Sequence, residues 1–375
     1  MDTRAELKKA KRIVVKVGTS TLTYATGKLN FSRIEKLIRE LSDLSNQGKE
    51  IILVTSGAVG AGMDRMGLKE RPKTIPEKQA LAAVGQGILM HTYEKIFSEY
   101  GQTVAQVLLT RENSVKHNQY TNSRNALLTL LHMGIIPVIN ENDAVAVDEL
   151  KIGDNDTLSA MVATLVDADV LIILSDIEGL YTANPQQDPS AVLIPEIKEI
   201  TPEIEALAGG AGSKLGTGGM YTKIQAAKIA VHAGVTMLIA SGSREGIVRD
   251  ILDGTCLGTV FLAKEAHLKV RKSWLAFGTR IAGNIHVDSG CAYAILNEGS
   301  SLLAVGITAV SGTFKKGDTV KVLAEDGQEI ARGMINYDAK QLDHIIGKST
   351  KKMRAILGES VIDEVIHRDN MILMT

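Results

Sequence analysis

One alternation constrains the fold of this chain more than any other feature, and it runs from the start to about residue 262. Short β-branched runs appear at IVVKV (13–17), IILVTS (51–56), TVAQVLL (103–109), IIPVIN (135–140), VLIILS (170–175) and TMLIA (236–240). Between them lie segments with helical periodicity. In Phe31–Asn46 the residues Ile34, Leu37, Ile38, Leu41 and Leu44 recur three or four apart, and 77–98, 156–168 and 220–233 also read as helices. A strand that is apolar at successive positions is buried on both faces. Alternating with helices, such strands predict an α/β fold, a mainly parallel open sheet sandwiched by helices. Ligands of such sheets bind at the C-terminal ends of the strands, so the loops there are the ones to read for chemistry.

The texture changes near Trp274. Short runs separated by turns follow: AYAIL, LLAVGITAV, TVKVLA, a turn at Glu325-Asp326-Gly327, then EIARGMIN. These predict a small β-rich domain with short helices near 340–345 and 351–357. The expected organisation is a catalytic α/β domain over 1–262, a charged linker over 263–274, and a β domain over 275–375 with its core at about 280–359.

Composition removes several classes. Lys and Arg number 42 against 43 Asp and Glu, a net charge of −1, so the chain is no coat for nucleic acid by charge alone. Two cysteines, Cys256 and Cys291, make no disulfide framework or paired zinc knuckle and read as small core residues in a reducing compartment. The N-terminal apolar run is short and broken by Lys16, unlike a signal peptide, and no apolar run is long enough to span a membrane. A cytoplasmic location is expected. His367-Arg368-Asp369-Asn370 superficially evokes a protein-kinase catalytic loop, but its spacing is wrong and no DFG is present.

The strand-end loops carry the chemistry. The first strand ends in Lys16-Val17-Gly18-Thr19-Ser20. A lysine inside an apolar strand is costly if simply buried. It either snorkels from an edge strand or places its ammonium at the strand mouth, against an anion. The second strand ends in TSGAVGAGM (55–63), where Ser56 and Gly57 precede a glycine-rich helix start whose free N–H groups suit a carboxylate or phosphate. A tight turn with close helix packing is the other reading. Neither GxGxxG nor the Walker A pattern is present. Later come Asn140-Glu141-Asn142-Asp143 and Gly153-Asp154-Asn155-Asp156. One Asp or Asn suffices to cap a helix, so three in a row point to recognition of a small ligand, a metal or lysines. The fifth strand ends in Ser175-Asp176. Six glycines at 209, 210, 212, 216, 218 and 219 lead through Thr217 to Lys223 into a helix, a pattern suited to nucleotide phosphates. Glycines 18, 57, 60, 62 and 153 are read with these, as places where backbone approaches anions.

Six segments, KVGTSTL (16–22), VTSGAVGAGM (54–63), INENDAV (139–145), IGDNDTLSAMVA (152–163), ILSDIEGLYTANP (173–185) and GTGGMYTKIQAA (216–227), occur in an order that resembles the amino-acid kinase family. Within it they are most similar to the branch that phosphorylates glutamate. The segments RIAGNIHVDSGCAYAIL (280–296), LLAVGITAVSGTFKKGDTVKV (302–322) and ARGMINY (331–337) resemble a PUA domain. The resemblance implies transfer of the ATP γ-phosphoryl to the γ-carboxylate of L-glutamate, the first step of proline biosynthesis. By the same resemblance Lys16 and Lys223 contact the transferring phosphoryl, and Asp156 holds both ammonium groups. ATP is bound by Lys16, Gly18, Ser175, Asp176 and Thr217, Gly218, Gly219, Met220, Tyr221, Thr222 and Lys223. Glutamate is bound by Ser56, Gly57 and Ala58 at a carboxylate and by Asp143 and Asn155 near the α-amino group. No protein metal site is implied, Mg²⁺ being carried by ATP.

The resemblance also implies a homo-oligomer, dimer or tetramer, and inhibition by proline around 116–145, at Lys116–Tyr120 and Asn140–Asp143. Aspartate, N-acetylglutamate, carbamate and a nucleotide are the competing acceptors on this fold; Asp143 and Asn155 suit a free amino group better than an acetylated one. RNA is the competing partner, because PUA domains often bind it. Residues 273–359 hold ten Lys and Arg against nine Asp and Glu, which leaves little electrostatic footprint for RNA beyond the cluster at 348–354.

Overall fold

Burial on both faces decides which runs become the centre of the sheet. A computed structural model describes residues 3–24, 26–68, 70, 72–110, 117–145, 154–185, 187–208, 219–263, 281–358 and 362–374. The chain divides into two compact units, Met1–His267 and Leu268–Thr375, each with its own apolar core.

The first unit holds strands β1 (Arg12–Val17), β2 (Glu50–Val54), β3 (Val104–Leu109), β4 (Ile136–Glu141), β5 (Val170–Ser175), β6 (Glu196–Ile197), β7 (Thr236–Ser241) and β8 (Thr259–Phe261). Their order across the sheet is β3-β4-β2-β1-β5-β7-β8-β6. The six long strands are the six β-branched runs, and all pair in parallel. Every residue of β4 and β5 is buried. The short β8 pairs antiparallel to β7 and carries β6 at the edge. From β1 the chain moves to one side through β2, then returns after β4 to β5 on the other side of β1. The loops that follow β1, β2 and β5 therefore diverge and leave a crevice at their C-terminal ends. Register places Lys16 between Val54 and Ile173, one residue before the end of β1.

Local chemistry sets the helix ends. Asn30 caps helix Phe31–Asn46 by accepting the Arg33 N–H at 3.1 Å, and the predicted apolar stripe is buried. Helix Ile75–Glu99 begins with a reciprocal Thr74–Glu77 capping box and Pro76 in its first turn. It crosses helix Ala58–Arg65 with almost no separation. A Cβ on Gly62 would lie 2.0 Å from the Leu81 carbonyl oxygen, and one on Gly85 would lie 1.7 Å from that of Ala58. Gly62 is thus a packing glycine and not an anion-facing one. Gly85→Ala is expected to cost about 2 kcal/mol and several degrees in Tm. An unchanged thermal melt would show that the two helices can separate freely.

Residues 117–132 form a helix within the 116–145 region, read as a loop region, to which the resemblance assigns proline; Lys116 lies outside the described residues. The second unit carries β9 (Ile281–Val287), β10 (Leu302–Leu303), β11 (Ile307–Gly312), β12 (Thr319–Leu323), β13 (Glu329–Met334), β14 (Glu364–Ile366) and β15 (Met371–Leu373). Five of them form a sheet in the order β11-β9-β12-β13-β15. The run AYAIL, expected as a strand, is instead part of helix Ser289–Glu298. Asp288 caps that helix by accepting the Cys291 N–H at 2.7 Å, and Ala292 and Ile295, three apart, are its buried residues. Helices Ala339–Ile345 and Thr350–Leu357 lie where expected. Cys256 is exposed and Cys291 half-buried, so the core reading fails for Cys256. Among the described residues no helix is long and apolar enough to cross a membrane.

Candidate active site

Three charged side chains from three separate elements converge at the mouth of the sheet. Lys16 comes from β1, Asp156 from the first turn of helix Asn155–Leu165, and Lys223 from the start of helix Met220–His232. Lys16 Nζ lies 2.6 Å from Asp156 Oδ1, and Lys223 Nζ lies 3.1 Å from Oδ2. Relative exposures are 7 % for Lys16, 0 % for Asp156 and 3 % for Lys223. The snorkelling alternative for Lys16 is therefore excluded. Both ammonium groups thus meet on one carboxylate, and the side chains of Asp154 and Asp176 line the same cleft.

Burial alone would raise the Asp156 carboxyl, but Lys16 and Lys223 together outweigh it and hold the group below the usual carboxylate range. A depressed carboxyl contributes stability above its unfolded value and loses it as pH falls through the folded one, so these ion pairs persist at neutral pH. Thr222 adds a third tie. Its hydroxyl lies 2.8 Å from Asp156 Oδ2 and 2.8 Å from the Gly219 carbonyl, so the helix that follows the glycine loop is fixed to the carboxylate.

The three consecutive polar residues have three distinct jobs. Asp154 is the cap: its carboxylate accepts the Thr157 N–H at 2.7 Å and the Thr157 hydroxyl at 3.0 Å. Burial, and then the Asp156 charge, raise its pKa. Asn155 ties the ends of two strands. Its Nδ2 donates to the Thr55 carbonyl at 2.6 Å and to Asn140 Oδ1 at 2.9 Å. Asp156 pairs the lysines.

A cavity of about 380 Å³ opens above these groups. Its walls include Lys16, Gly18, Ser56, Asn155, Asp156, Ser175, Asp176 and Lys223, all singled out from the sequence. A Cβ on Gly18 would sit 3.6 Å from Lys16 Nζ, so glycine keeps that side of the ammonium open. The Ser56 hydroxyl donates to the Val17 carbonyl and accepts from Thr19, both at 3.2 Å. Gly57 adopts a left-handed φ of 98° and caps helix Ala58–Arg65, of which Ala58 is the first residue. The Ser175 hydroxyl donates to Asp176 Oδ1 at 3.0 Å. Gly219 caps helix Met220–His232, and Tyr221 is exposed in its first turn. Thr217 and Gly218 lie outside the described residues, as does Gly153.

Asp143 is not on that cavity's walls. It lines a second hollow of about 340 Å³ with Ala58, Gln86 and Glu141. Sequence reasoning missed the residues that brace this side. Tyr93 is buried with its hydroxyl 2.7 Å from Thr55 Oγ1, and burial raises its pKa. Gln86 Oε1 accepts from Asn140 Nδ2 at 2.8 Å. Both lie inside a long helix; Gln86 is marked by its polarity among apolar neighbours, whereas Tyr93 sits in the polar run His91-Thr92-Tyr93-Glu94-Lys95 and carries no such mark.

Residues 11–241 match the amino acid kinase family, and residues 283–357 match the PUA domain. The chain is 55% identical over 371 residues to the glutamate 5-kinase of Moorella thermoacetica, covering 99% of this chain and 98% of that protein. It is 51% identical over 363 residues to the glutamate 5-kinase of Thermoanaerobacter pseudethanolicus, covering 97% and 98%. Against the glutamate 5-kinase of Carboxydothermus hydrogenoformans the identity is 50% over 372 residues, covering 99% and 100%. With a family match over more than half its length and such relatives across nearly all of it, the chain belongs to the amino acid kinase family.

Proposed function

We propose that the chain transfers the γ-phosphoryl group of ATP to the γ-carboxylate of L-glutamate, giving L-glutamyl 5-phosphate, the first step of proline biosynthesis, in the cytoplasm. Near-full-length likeness to proteins named glutamate 5-kinase supports the substrate. The single observation that carries the chemistry is the buried Lys16–Asp156–Lys223 cluster at the strand mouth.

The nucleophile is a carboxylate, already ionised at neutral pH, so no general base is required. Its oxygen attacks the γ-phosphorus, the bond to the ADP oxygen breaks, and negative charge spreads over the transferring group. The task of the site is to bring two anions together and to stabilise that charge. Lys16 and Lys223 do so from two elements, and Asp156 holds both ammonium groups in place. Ser175, Asp176 and the segment from Thr217 to Lys223 hold the nucleotide, with Gly18 leaving room beside Lys16. Ser56 and the N–H groups of Gly57 and Ala58 take a substrate carboxylate. Asn155 Oδ1 and Asp143 take the α-ammonium group. Asp156 is engaged by two lysines, and Mg²⁺ enters as MgATP, carried on phosphate oxygens.

ADP release with MgATP tests the acceptor, with glutamate, aspartate, N-acetylglutamate and carbamate assayed in turn. Glutamate is the expected acceptor, and turnover with aspartate but not glutamate overturns the reading. Inhibition by proline belongs to the same proposal and is read by adding proline to that assay; assembly into a dimer or tetramer is read by light scattering. Asp143→Ala is expected to raise the glutamate KM about tenfold, with kcat nearly unchanged. An unchanged KM with a large fall in kcat would remove Asp143 from amine recognition.

A further inference from the structure

We infer that Gln86, on helix Ile75–Glu99 and outside every strand-end loop, is a positioning residue that makes the site select an acid with a free, protonated amino group. The inference rests on the glutamate reading above.

Two backbone groups fix the orientation of a whole chain of side-chain amides. The Thr55 carbonyl only accepts, so the Asn155 atom 2.6 Å from it is Nδ2. The Glu141 N–H only donates, so the Asn140 atom 2.9 Å from it is Oδ1. Asn155 Nδ2 then meets Asn140 Oδ1 at 2.9 Å, and Asn140 Nδ2 donates to Gln86 Oε1 at 2.8 Å. Both N–H groups of Asn155 are spent in this chain. Its remaining polar atom is Oδ1, which only accepts. Such an atom suits an ammonium group and offers nothing to the carbonyl of an N-acyl group.

Asn140 is the pivot, and it is 1 % exposed. Turned over, its amide would set Nδ2 against two donors, the Glu141 N–H and Asn155 Nδ2. Gln86 holds the correct face by accepting the N–H on the far side. Removing that acceptor takes a partner from a buried N–H, which carries a desolvation cost, and loosens the pivot that holds Asn155. Tyr93 stands two turns further along the same helix and bonds to Thr55 at 2.7 Å. One helix thus contacts both residues that receive the Asn155 amide, Thr55 through its hydroxyl and Asn140 through its Nδ2.

The test starts with the wild-type protein and MgATP. If glutamate supports no ADP release, the glutamate reading fails and the inference falls with it. If it does, Gln86→Met keeps the length of the side chain and removes the acceptor, while Gln86→Glu keeps an acceptor. For Gln86→Met we expect the glutamate KM to rise about tenfold. Its kcat and ATP KM should stay within about twofold, and its preference for glutamate over N-acetylglutamate should narrow. Gln86→Glu should stay close to wild type. An unchanged glutamate KM in Gln86→Met overturns the inference, as does a loss shared equally by kcat and both KM values. Equal damage from Gln86→Glu overturns it too. If Gln86→Met folds poorly by thermal melt, Gln86→Ala, which favours the helix, is read in the same way.

Discussion

Asp156→Asn is expected to lower kcat about a thousandfold while the protein stays folded. The substitution keeps shape and removes only charge. Asp156 is fully buried and meets a lysine at each oxygen, at 2.6 and 3.1 Å. Asparagine would turn a donor toward one of two ammonium groups that already lack water. Removing one member of a buried ion pair costs about 3–5 kcal/mol, because the remaining charge is uncompensated. Here two charges are left, and their repulsion drives one lysine out of place. That removes it from the phosphoryl group, and each 1.4 kcal/mol of lost transition-state stabilisation is about a tenfold loss in rate. Steady-state kinetics beside a thermal melt check the outcome. A folded Asp156→Asn protein that keeps more than about a tenth of wild-type turnover would contradict the assigned role.

The second large effect is expected from Lys16→Met. Methionine fills the space of the lysine stem and leaves Asp156 paired with Lys223, so the fold is disturbed less. A single preorganised cationic or hydrogen-bonding group that acts on developing charge is worth roughly 10² to 10³ in kcat. We expect a fall of that size with a modest change in glutamate KM, because the charge acts mainly on the transition state. Near-wild-type turnover in a folded Lys16→Met protein would place the lysine outside the chemistry.

Most of this site was legible in the sequence because its residues are expensive where they stand. A lysine in IVVKV and an acid at the head of the apolar helix Asn155–Leu165 cannot be buried without partners. The strands were legible because burial on both faces leaves unbroken apolar runs. Where those signals fail, so does the reading. Strands β6 and β8 have two and three residues, too few to show a period. Residues 117–132 open with the polar run HNQYTNSRN, which masked a helix. AYAIL became helical because Asp288 caps it, and the cap precedes the run that was read. The roles of Gln86, Tyr93, Gly62 and Gly85 depend on which element lies opposite, and that is tertiary information. The same holds for the Asn155 amide: a ligand-facing residue was legible, but its two bonds to Thr55 and Asn140 were not.

The most direct measurement of the central claim is trapping of the product with hydroxylamine. An acyl phosphate reacts with hydroxylamine to give a hydroxamate, whereas inorganic phosphate from simple ATP hydrolysis does not. With purified protein, MgATP and L-glutamate, the account predicts γ-glutamyl hydroxamate in proportion to the ADP released, and loss of both in Asp156→Asn. ADP released without hydroxamate, or hydroxamate formed from aspartate and not from glutamate, would contradict it.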